Sequence, residues 1–406
     1  MKFFDKTQYK KILIFSTAYI PFVGGAELAI KEITDRIDDI HFDMVTLRFD
    51  GNLPKFERIG NVNVYRIGFT RKNPPMADLV KFPLRINKLF FPFLAFFKAV
   101  RLHKKNKYDA IWAMMAAYAG FASLFFKIMH PKAPYLLTLQ EGDPIEYIKK
   151  KVRFVYPLFS RIFTKADFIH TISNYLANFA RDMGYKGTLK VVPNAVDVKY
   201  FSQKHSEQEI EDLKKKLGKK SGDKYLITVS RLVLKNAIDD VIKSLRDLPE
   251  NVKFLVLGDG PDLEKLQNLA KETGVEKRVM FSGQINNKEI PIYLEISDIF
   301  IRPSLTEGLG NSFLEAMAAG IPVIATSVGG IPDFLRDGET GIFCKVRDPQ
   351  SIAEKVKLLF ENNELKEKII KNAKEMVTKN YDWDLIAQKM KNIFNKLPAP
   401  LEIKRE

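Results

Sequence analysis

Residues 299–326 read IFIRPSLTEGLGNSFLEAMAAGIPVIAT, in which two apolar runs enclose a glycine-rich turn and a helix-forming stretch. The apolar runs predict buried strands, and the helix between them is predicted to begin near Ser312 and to end at Gly320. A strand, a turn, a helix and a second strand form the repeating unit of a parallel α/β sheet. Glu307 lies in the turn and Glu315 on the helix, and we predict that both carboxylates point into one pocket.

The same alternation of short apolar runs with amphipathic stretches recurs in two series, separated by a charged, lysine-rich segment at 205–223. This pattern predicts an α/β fold with two Rossmann-like domains that face an interdomain cleft. We predict an N-terminal domain of residues 1–198, joined by a C-terminal helix at about 385–406, and a C-terminal domain of residues 199–384. The predicted strands are 11–17, 42–47, 61–67, 109–114, 134–139 and 168–173 in the first series, and 224–230, 252–258, 279–283, 299–304, 322–326 and 341–346 in the second.

The chain is strongly basic, and the excess charge lies in its first half. The formal net charge is +16, and residues 1–198 carry 31 Lys and Arg against 17 Asp and Glu. Such a half favours a polyanionic partner, either nucleic acid or an anionic membrane surface, although a generally lysine-rich composition would produce the same count. The sequence has no recognisable nucleic-acid-binding motif, so we expect no nucleic-acid partner.

Two segments of the basic half, 81–107 and 147–165, mix aromatic residues with lysine and arginine. This mixture is typical of helices that lie at a lipid headgroup surface, and it also fits amphipathic helices that face the core. Because two such segments occur in one basic half, we predict a cytoplasmic protein in peripheral contact with an anionic membrane, at the inner face of the plasma membrane. The uncharged run at 110–126 is barely long enough to span a bilayer, and we predict a buried strand followed by a helix there.

Residues suited to metal binding or disulfide formation are sparse. Cys344 is the sole cysteine, which excludes an intrachain disulfide, and the five histidines are scattered. We therefore expect no structural zinc and no bound metal or other cofactor.

The start of the helix near Ser312 is a predicted phosphate site. The backbone N–H groups of Gly310–Ser312 lack partners inside the helix and suit a diphosphate. Glu315 at the same helix end could accept hydrogen bonds from sugar or ribose hydroxyls, but Ser312 and Glu315 equally match a capping box. Glu307 has no comparable structural explanation, since a carboxylate does nothing for such a turn.

Two cations follow the predicted strand at 224–230. Arg231 and Lys235 would lie at its carboxyl end, where they could neutralise a diphosphate leaving group. Solvated surface charges would produce the same pattern.

Two glycine turns are weaker signals. Gly258 lies in VLGDGPDLEKL (256–266), which resembles half of a dinucleotide fingerprint but lacks its third glycine. Gly24 and Gly25 close the first strand, where they could approach a phosphate or serve only as a tight turn.

In order, these segments resemble the family-4 glycosyltransferases over nearly the whole chain, and the ordered series is highly specific. Glu307 and Glu315 stand at the family's Glu-x7-Glu signature. The resemblance implies the GT-B fold, retention of anomeric configuration, a nucleotide-sugar donor and, usually, no bound metal. The matching segments are FVGGAE (22–27), HTISNYLANF (170–179), VVPNAVDVKYF (191–201), SRLVLKNAIDD (230–240), LGDGPDLEKL (257–266) and RPSLTEGLGNSFLEAMAAGIPVIATSVGGIPDFLRDGETGIF (302–343).

The resemblance also implies a role for each matching position. Arg231 and Lys235 would hold the donor diphosphate, Glu307 would grip the transferred sugar, and Glu315 would bind the nucleotide ribose. Catalysis would rest on Glu307, Arg231 and Lys235. The remaining donor-binding positions would be Gly24 and Gly25 at the diphosphate, Gln284 at the base, Gly258, and the backbone of Gly308, Leu309, Gly310 and Asn311 at the sugar.

The chain departs from the family pattern at three places. Asn236 and Ala237 stand where members have Lys-Gly, so that the lysine lies one place earlier. Ala195 replaces the glycine of PNGVD, and Gln140 follows the strand at 134–139 where members often carry a histidine. The acceptor-side candidates are therefore Gln140, Glu141 and Asp143.

Together these features predict a retaining hexosyltransferase that moves a sugar from a nucleotide-diphosphate sugar to a glycan or lipid-linked acceptor. Surface polysaccharide or glycolipid synthesis is the expected setting. A sugar phosphorylase or hydrolase on the same fold is the alternative, and product analysis would distinguish it.

Overall fold

A computed structural model describes residues 9–74, 78 and 81–398, so residues 399–406 of the predicted C-terminal helix lie outside the described residues. The described chain divides into two compact units. The first unit runs to Glu141 and continues with Ile145–Pro193 and the segment from Trp383. The second consists of Gly142–Pro144 and Asn194–Asp382. The sequence prediction placed the corresponding domain boundaries after residue 198 and near residue 385.

The first unit is built on an eight-stranded sheet that is parallel except for its third strand in chain order. Its strands are β1 (Lys10–Phe15), β2 (Ile40–Leu47), β3 (Phe56–Ile59), β4 (Val62–Ile67), β5 (Ala110–Met114), β6 (Tyr135–Leu139), β7 (Phe168–Thr171) and β8 (Thr188–Val191). They lie in the order β3-β4-β2-β1-β5-β6-β7-β8. Helices cover both faces of such a sheet, which is why the central strands are continuous apolar runs.

The helices of the first unit include one from the end of the chain. They are α1 (Gly25–Thr34), α2 (Leu84–Asn106), α3 (Tyr118–Met129), α4 (Ile145–Lys151), α5 (Tyr156–Thr164), α6 (Asn174–Asp182) and α15 (Trp383–Lys396). Helix α15 belongs here because Phe394 packs against Phe42 and Trp112, with ring centroids 5.7 and 5.1 Å apart. No helix among the described residues is both long enough and apolar enough to cross a bilayer.

The second unit has a six-stranded parallel sheet in the order β11-β10-β9-β12-β13-β14. Its strands are β9 (Lys224–Val229), β10 (Val252–Leu257), β11 (Val279–Gly283), β12 (Ile299–Arg302), β13 (Val323–Thr326) and β14 (Ile342–Cys344). Its helices are α7 (Val198–Phe201), α8 (Glu207–Leu217), α9 (Ile238–Ser244), α10 (Leu263–Glu272), α11 (Ile290–Glu295), α12 (Asn311–Ala319), α13 (Pro349–Glu361) and α14 (Asn363–Asn380). This is the doubly wound strand order, which reverses direction between β9 and β12.

All twelve predicted strands are present, and the described residues form two further strands that were not predicted. β3 and β8 each alternate partly buried and exposed residues, because they are the two edges of the first sheet. An edge strand has no need of a continuous apolar run, so the pattern used for prediction does not detect it. The run at 110–126 is confirmed as the buried strand β5 followed by α3.

Candidate active site

The candidate site lies at the reversal point of the second sheet, where the carboxyl ends of β9 and β12 are neighbours. Loops that leave two adjacent strands in opposite directions open a crevice, and ligands of doubly wound proteins bind there. Arg231 and Lys235 lie in the loop after β9, and Glu307 lies in the loop after β12. A hydrogen bond of 2.7 Å from the Leu305 N–H to the Lys235 carbonyl joins the two loops.

Hydrogen bonds hold both the side-chain carboxylate and the backbone carbonyl of Glu307. One carboxylate oxygen accepts a hydrogen bond of 2.8 Å from Arg302 Nη2, and the other lies 3.1 Å from the N–H of Gly308. Its carbonyl accepts a hydrogen bond of 2.9 Å from the N–H of Gly330. Gly329 has a φ of +57°, and a Cβ there would lie 2.0 Å from the Glu307 carbonyl oxygen. Glycine at 329 is therefore what lets Gly329 and Gly330 approach the Glu307 backbone.

Lys235 and Glu307 converge on one point of the site. The Lys235 ammonium donates a hydrogen bond of 2.6 Å to the carbonyl of Gly142, a residue that groups with the second unit. A Cβ placed on Gly142 would lie 2.9 Å from Lys235 Nζ and 3.6 Å from Glu307 Oε1. The Lys235 ammonium and the Glu307 carboxylate thus both lie beside Gly142.

The loop after β9 holds its shape through a buried amide. Asn236 is 4% exposed and donates a hydrogen bond of 2.6 Å from Nδ2 to the carbonyl of Arg231. Ala237 follows in the left-handed region, with a φ of +50°. The family's glycine at this position thus matches the backbone that the chain adopts here with alanine. The Arg231 residue itself is exposed, so its side chain can reach an incoming ligand.

Helix α12 begins one residue earlier than predicted and is not closed by a capping box. Gly310 precedes its first turn with a φ of +90°, and Asn311 is its first residue. Ser312 is therefore the second residue of the helix. Its hydroxyl lies 2.9 Å from Arg302 Nη1. The capping-box explanation of Glu315 is therefore wrong, because a capping serine must stand before the first helical residue. The N–H groups of the first turn remain suited to an anion.

Glu315 is a partly buried carboxyl with an unusual pKa. Burial raises the pKa of Glu315 to about 7, and the positive charge of Arg302 opposes this rise. Glu315 therefore gains its full negative charge only above neutral pH, and hydrogen bonds from ligand hydroxyls would favour that charged form.

Three hydroxyl groups at the two strand ends are buried without partners among the described residues. They belong to Ser230 after β9 and to Ser304 and Thr306 after β12. Buried polar atoms normally find hydrogen bonds, and exceptions concentrate at sites that bind water or ligands.

The remaining predicted donor residues occupy varied settings. Gly258 follows β10 with a φ of +142°, and a Cβ there would lie 1.9 Å from the Ser230 carbonyl oxygen, so a glycine is required whatever the ligand. Leu309 is buried, and Gln284 is exposed directly after β11. Gly25 begins α1 in the first unit, and the N–H of Gly24 donates to the Glu27 carboxylate over 2.8 Å.

The three acceptor-side candidates follow β6. Gln140 and Glu141 are buried in the first unit, and a Glu141 oxygen accepts a hydrogen bond of 2.6 Å from the N–H of Ala116. Glu141 thereby supports the loop after β5. Asp143 is exposed, and its carboxylate lies 3.9 Å from the Lys235 ammonium.

Sequence reasoning missed Arg302, which contacts Glu307, Ser312 and the Phe313 ring. A signal was available, because an arginine that ends an otherwise apolar strand (IFIR) must find a partner for its charge. Asn236 and Gly329 were also missed as supports of the site. Their roles depend on which backbone groups lie next to them in three dimensions.

Comparison with known proteins identifies the family. A model described as Glycosyltransferase Family 4 matches residues 23–200, and one described as Glycosyl transferases group 1 matches residues 209–376. A GDP-mannose-dependent alpha-(1-6)-phosphatidylinositol monomannoside mannosyltransferase of Mycobacterium tuberculosis is 30% identical over 71% of this chain and 76% of its own length. The chain belongs to the family-4 glycosyltransferases.

Two other similarities extend over nearly all of this glycosyltransferase. An alpha-monoglucosyldiacylglycerol synthase of Acholeplasma laidlawii is 23% identical over 95% of this chain and 96% of its own length. The crystal structure of HepE from Anabaena in complex with UDP-glucose superposes with a TM-score of 0.77, covering 95% of this chain and 100% of that chain at 22% identity. The fold is therefore GT-B, with two Rossmann-like units, and the chain is a transferase.

Proposed function

We propose that this glycosyltransferase moves a sugar, with retention of anomeric configuration, from a nucleoside-diphosphate sugar to a lipid-linked or glycan acceptor at an anionic membrane. The observation that carries the donor half of the proposal is that the Lys235 ammonium and the Glu307 carboxylate both lie beside Gly142, with Glu307 in the loop that leads into α12. A cation suits the diphosphate, and a carboxylate suits sugar hydroxyls. Free helix N–H groups also suit the diphosphate.

The proposed chemistry is electrostatic. Arg231 and Lys235 neutralise the charge that grows on the diphosphate as its bond to the sugar C1 breaks. The acceptor oxygen bonds to C1 from the face that the diphosphate leaves, and the hydroxyl proton passes to an oxygen of the departing diphosphate. Glu307 and the backbone after it orient the sugar, while Glu315 binds the ribose hydroxyls. No metal is needed in this scheme.

An apolar stripe on α2 supports the membrane half of the proposal. Phe90, Phe93 and Phe97 expose 52%, 52% and 60% of their surface on this helix, although large aromatic side chains are normally buried. Exposed basic residues flank the stripe at both ends of the helix, where they can contact anionic headgroups while the aromatic rings enter the lipid. The flanking residues are Lys81, Arg85, Arg101, Lys104 and Lys105.

A second basic and aromatic surface lies in the same unit. Phe154 is 84% exposed between α4 and α5, and Tyr147 is 54% exposed on α4. Lys150, Lys151 and Arg153 beside them are also exposed. Helix α3 packs against both α2 and α5, and the segment that carries Arg153 and Phe154 directly precedes α5. A flat anionic membrane fits two such surfaces, because each exposed cation near it contributes about 1 kcal/mol.

The names of two relatives favour a lipid acceptor. One is a synthase of a glucosylated diacylglycerol and the other a phosphatidylinositol monomannoside mannosyltransferase. We therefore infer that this chain acts on a lipid-linked acceptor at the inner face of the plasma membrane, in glycolipid or surface polysaccharide synthesis.

A panel of donors tests the proposed function. We expect the melting temperature to rise with concentration for one of UDP, GDP and ADP, because a ligand that binds only the folded state stabilises it. The matching sugar donor, for example UDP-glucose or GDP-mannose, should then be consumed faster when diacylglycerol or phosphatidylinositol vesicles are added, with an α-linked glycolipid as product. Consumption of inorganic phosphate, or release of free sugar alone, would instead identify a phosphorylase or a hydrolase.

The membrane surface has its own test. Changing Phe90→Ser together with Phe97→Ser should weaken binding to vesicles containing anionic lipid by tenfold or more, because burial of each aromatic contributes roughly 1.5–3 kcal/mol. Vesicle sedimentation measures the effect. The control is Phe56→Ser, which removes a 53% exposed phenylalanine from the edge strand β3.

A matched pair of charge reversals completes that test. Lys104→Glu with Lys105→Glu should abolish the dependence on anionic lipid, whereas Lys368→Glu with Lys371→Glu makes the same charge change on α14 of the second unit and should leave vesicle binding unaltered. Equal binding by both pairs, or binding that ignores anionic lipid, would remove the membrane proposal.

A further inference from the structure

Arg302 is a buried cation at the centre of the candidate site. It is the last residue of β12 and is 5% exposed. Burial lowers the pKa of its guanidinium, and the negative charges of Glu307 and Glu315 oppose that effect. A charge removed from water needs close partners, and these two carboxylates provide the compensation.

The guanidinium contacts Glu307 in the turn that joins β12 to α12 and two residues in the first turn of α12. Its Nη2 donates to the Glu307 carboxylate over 2.8 Å, and its Nη1 lies 2.9 Å from the Ser312 hydroxyl. The guanidinium carbon lies 4.2 Å from the centroid of the Phe313 ring. A Cβ on Gly310 would approach Nη2 to 2.7 Å, so the glycine leaves the space that the guanidinium occupies.

These contacts are not the arrangement that stability alone would favour. The Nε of Arg302 is buried and has no hydrogen-bond partner among the described residues. A buried donor left unsatisfied lowers stability, and an apolar side chain at the end of β12 would avoid that loss. What the arginine supplies instead is a planar fork that fixes the orientation of a carboxylate.

We propose that Arg302 is a positioning residue, which presets the Glu307 carboxylate and the backbone of the following turn before the donor binds. This inference rests on the proposed function of Glu307 as the residue that grips the sugar. The positive charge of Arg302 also interacts with both Glu307 and Glu315, and so reduces the repulsion that two carboxylates would exert on an incoming diphosphate.

The first test separates positioning from stability. Arg302→Met keeps an unbranched side chain but removes the fork. We expect kcat with the accepted donor, UDP-glucose or GDP-mannose, to fall about 100-fold while KM for the donor changes much less, because a misplaced orienting group acts mainly on the reacting geometry. Arg302→Lys keeps the charge without the fork and should recover about tenfold of that loss.

Arg278→Met is the matched control. Arg278 is also 5% exposed in the second unit, and its guanidinium donates to the carbonyls of Val252 and Pro249 over 3.1 and 2.8 Å. Its loss should lower the melting temperature and leave kcat unaltered. Kinetics are compared at a temperature at which all three variants are folded.

The second test needs no turnover. Because Arg302 opposes the rise in the pKa of Glu315 to about 7, removing Arg302 raises that pKa further. The pH below which UDP or GDP binding weakens should therefore move upward in Arg302→Met and stay in place in Arg278→Met, as measured by calorimetry between pH 5.5 and 9.

The two tests taken together can overturn the inference. If Arg302→Met lowers only the melting temperature, while kcat and the pH dependence of nucleotide binding match the wild type, Arg302 is a structural residue. A wild-type protein that binds UDP or GDP but transfers no sugar would contradict the proposed function instead, and the shift in nucleotide binding would still decide the role of Arg302.

Discussion

Replacing Glu307 by glutamine is expected to lower kcat for sugar transfer by about 10²–10³-fold, with the fold and nucleotide binding retained. The glutamine keeps an oxygen for the Arg302 Nη2 contact, which is 2.8 Å long in the native protein. It lacks the negative charge that strengthens hydrogen bonds from sugar hydroxyls. The measurement is kcat and KM for transfer from the accepted donor, together with the Kd of its nucleoside diphosphate.

Glu307→Ala should lose transfer and also stability. It leaves the Arg302 guanidinium buried opposite a cavity, and breaking a buried ion pair from one side typically costs about 3–5 kcal/mol. The melting temperatures of the two variants should therefore differ although both are impaired in transfer. Glu276→Gln, which changes a carboxylate beside β11, is the control and should remain fully active. Normal transfer by Glu307→Gln would refute the assignment of Glu307 to the sugar.

The second large effect is expected from the two cations after β9. Arg231→Ala or Lys235→Ala should each reduce kcat/KM about 10²-fold, because each removes a cation that stabilises the negative charge developing on the leaving diphosphate. The double variant should bind UDP or GDP more weakly but bind the free nucleoside unchanged. Calorimetry with both ligands provides this comparison, and the difference should shrink at high salt.

The stability of the Arg231 and Lys235 variants should remain near the wild-type value. Arg231 is exposed, and the bond from Asn236 Nδ2 is accepted by its backbone carbonyl, which alanine retains. Lys265→Ala on α10 removes an exposed cation from the same unit and should change neither kcat/KM nor the affinity for the nucleoside diphosphate. If the double variant kept the wild-type affinity for the diphosphate, the cations would have no part in donor binding.

The local sequence pattern predicted strands and helices correctly where the residues adjacent in sequence are also adjacent in space. The buried central strands were all found, because a strand covered on both faces must be a continuous apolar run. The edge strands β3 and β8 escaped notice because their pairing depends on a partner strand more than on their own side chains. The capping box at Ser312 failed for a related reason, since Arg302 provides a competing partner that a local motif cannot reveal.

The sequence alone determined the two α/β series, the strand ends that carry Arg231, Lys235 and Glu307, and the resemblance that led to the family. These features depend on hydrophobic period and on residue order, both of which are local. Only the tertiary structure decided what holds Glu307 in place. Arg302, five residues before it, ends β12 and donates to the carboxylate in the loop after the same strand. Gly329, twenty-two residues after it, reaches the Glu307 backbone because the parallel strands β12 and β13 bring their carboxyl ends to one edge of the sheet.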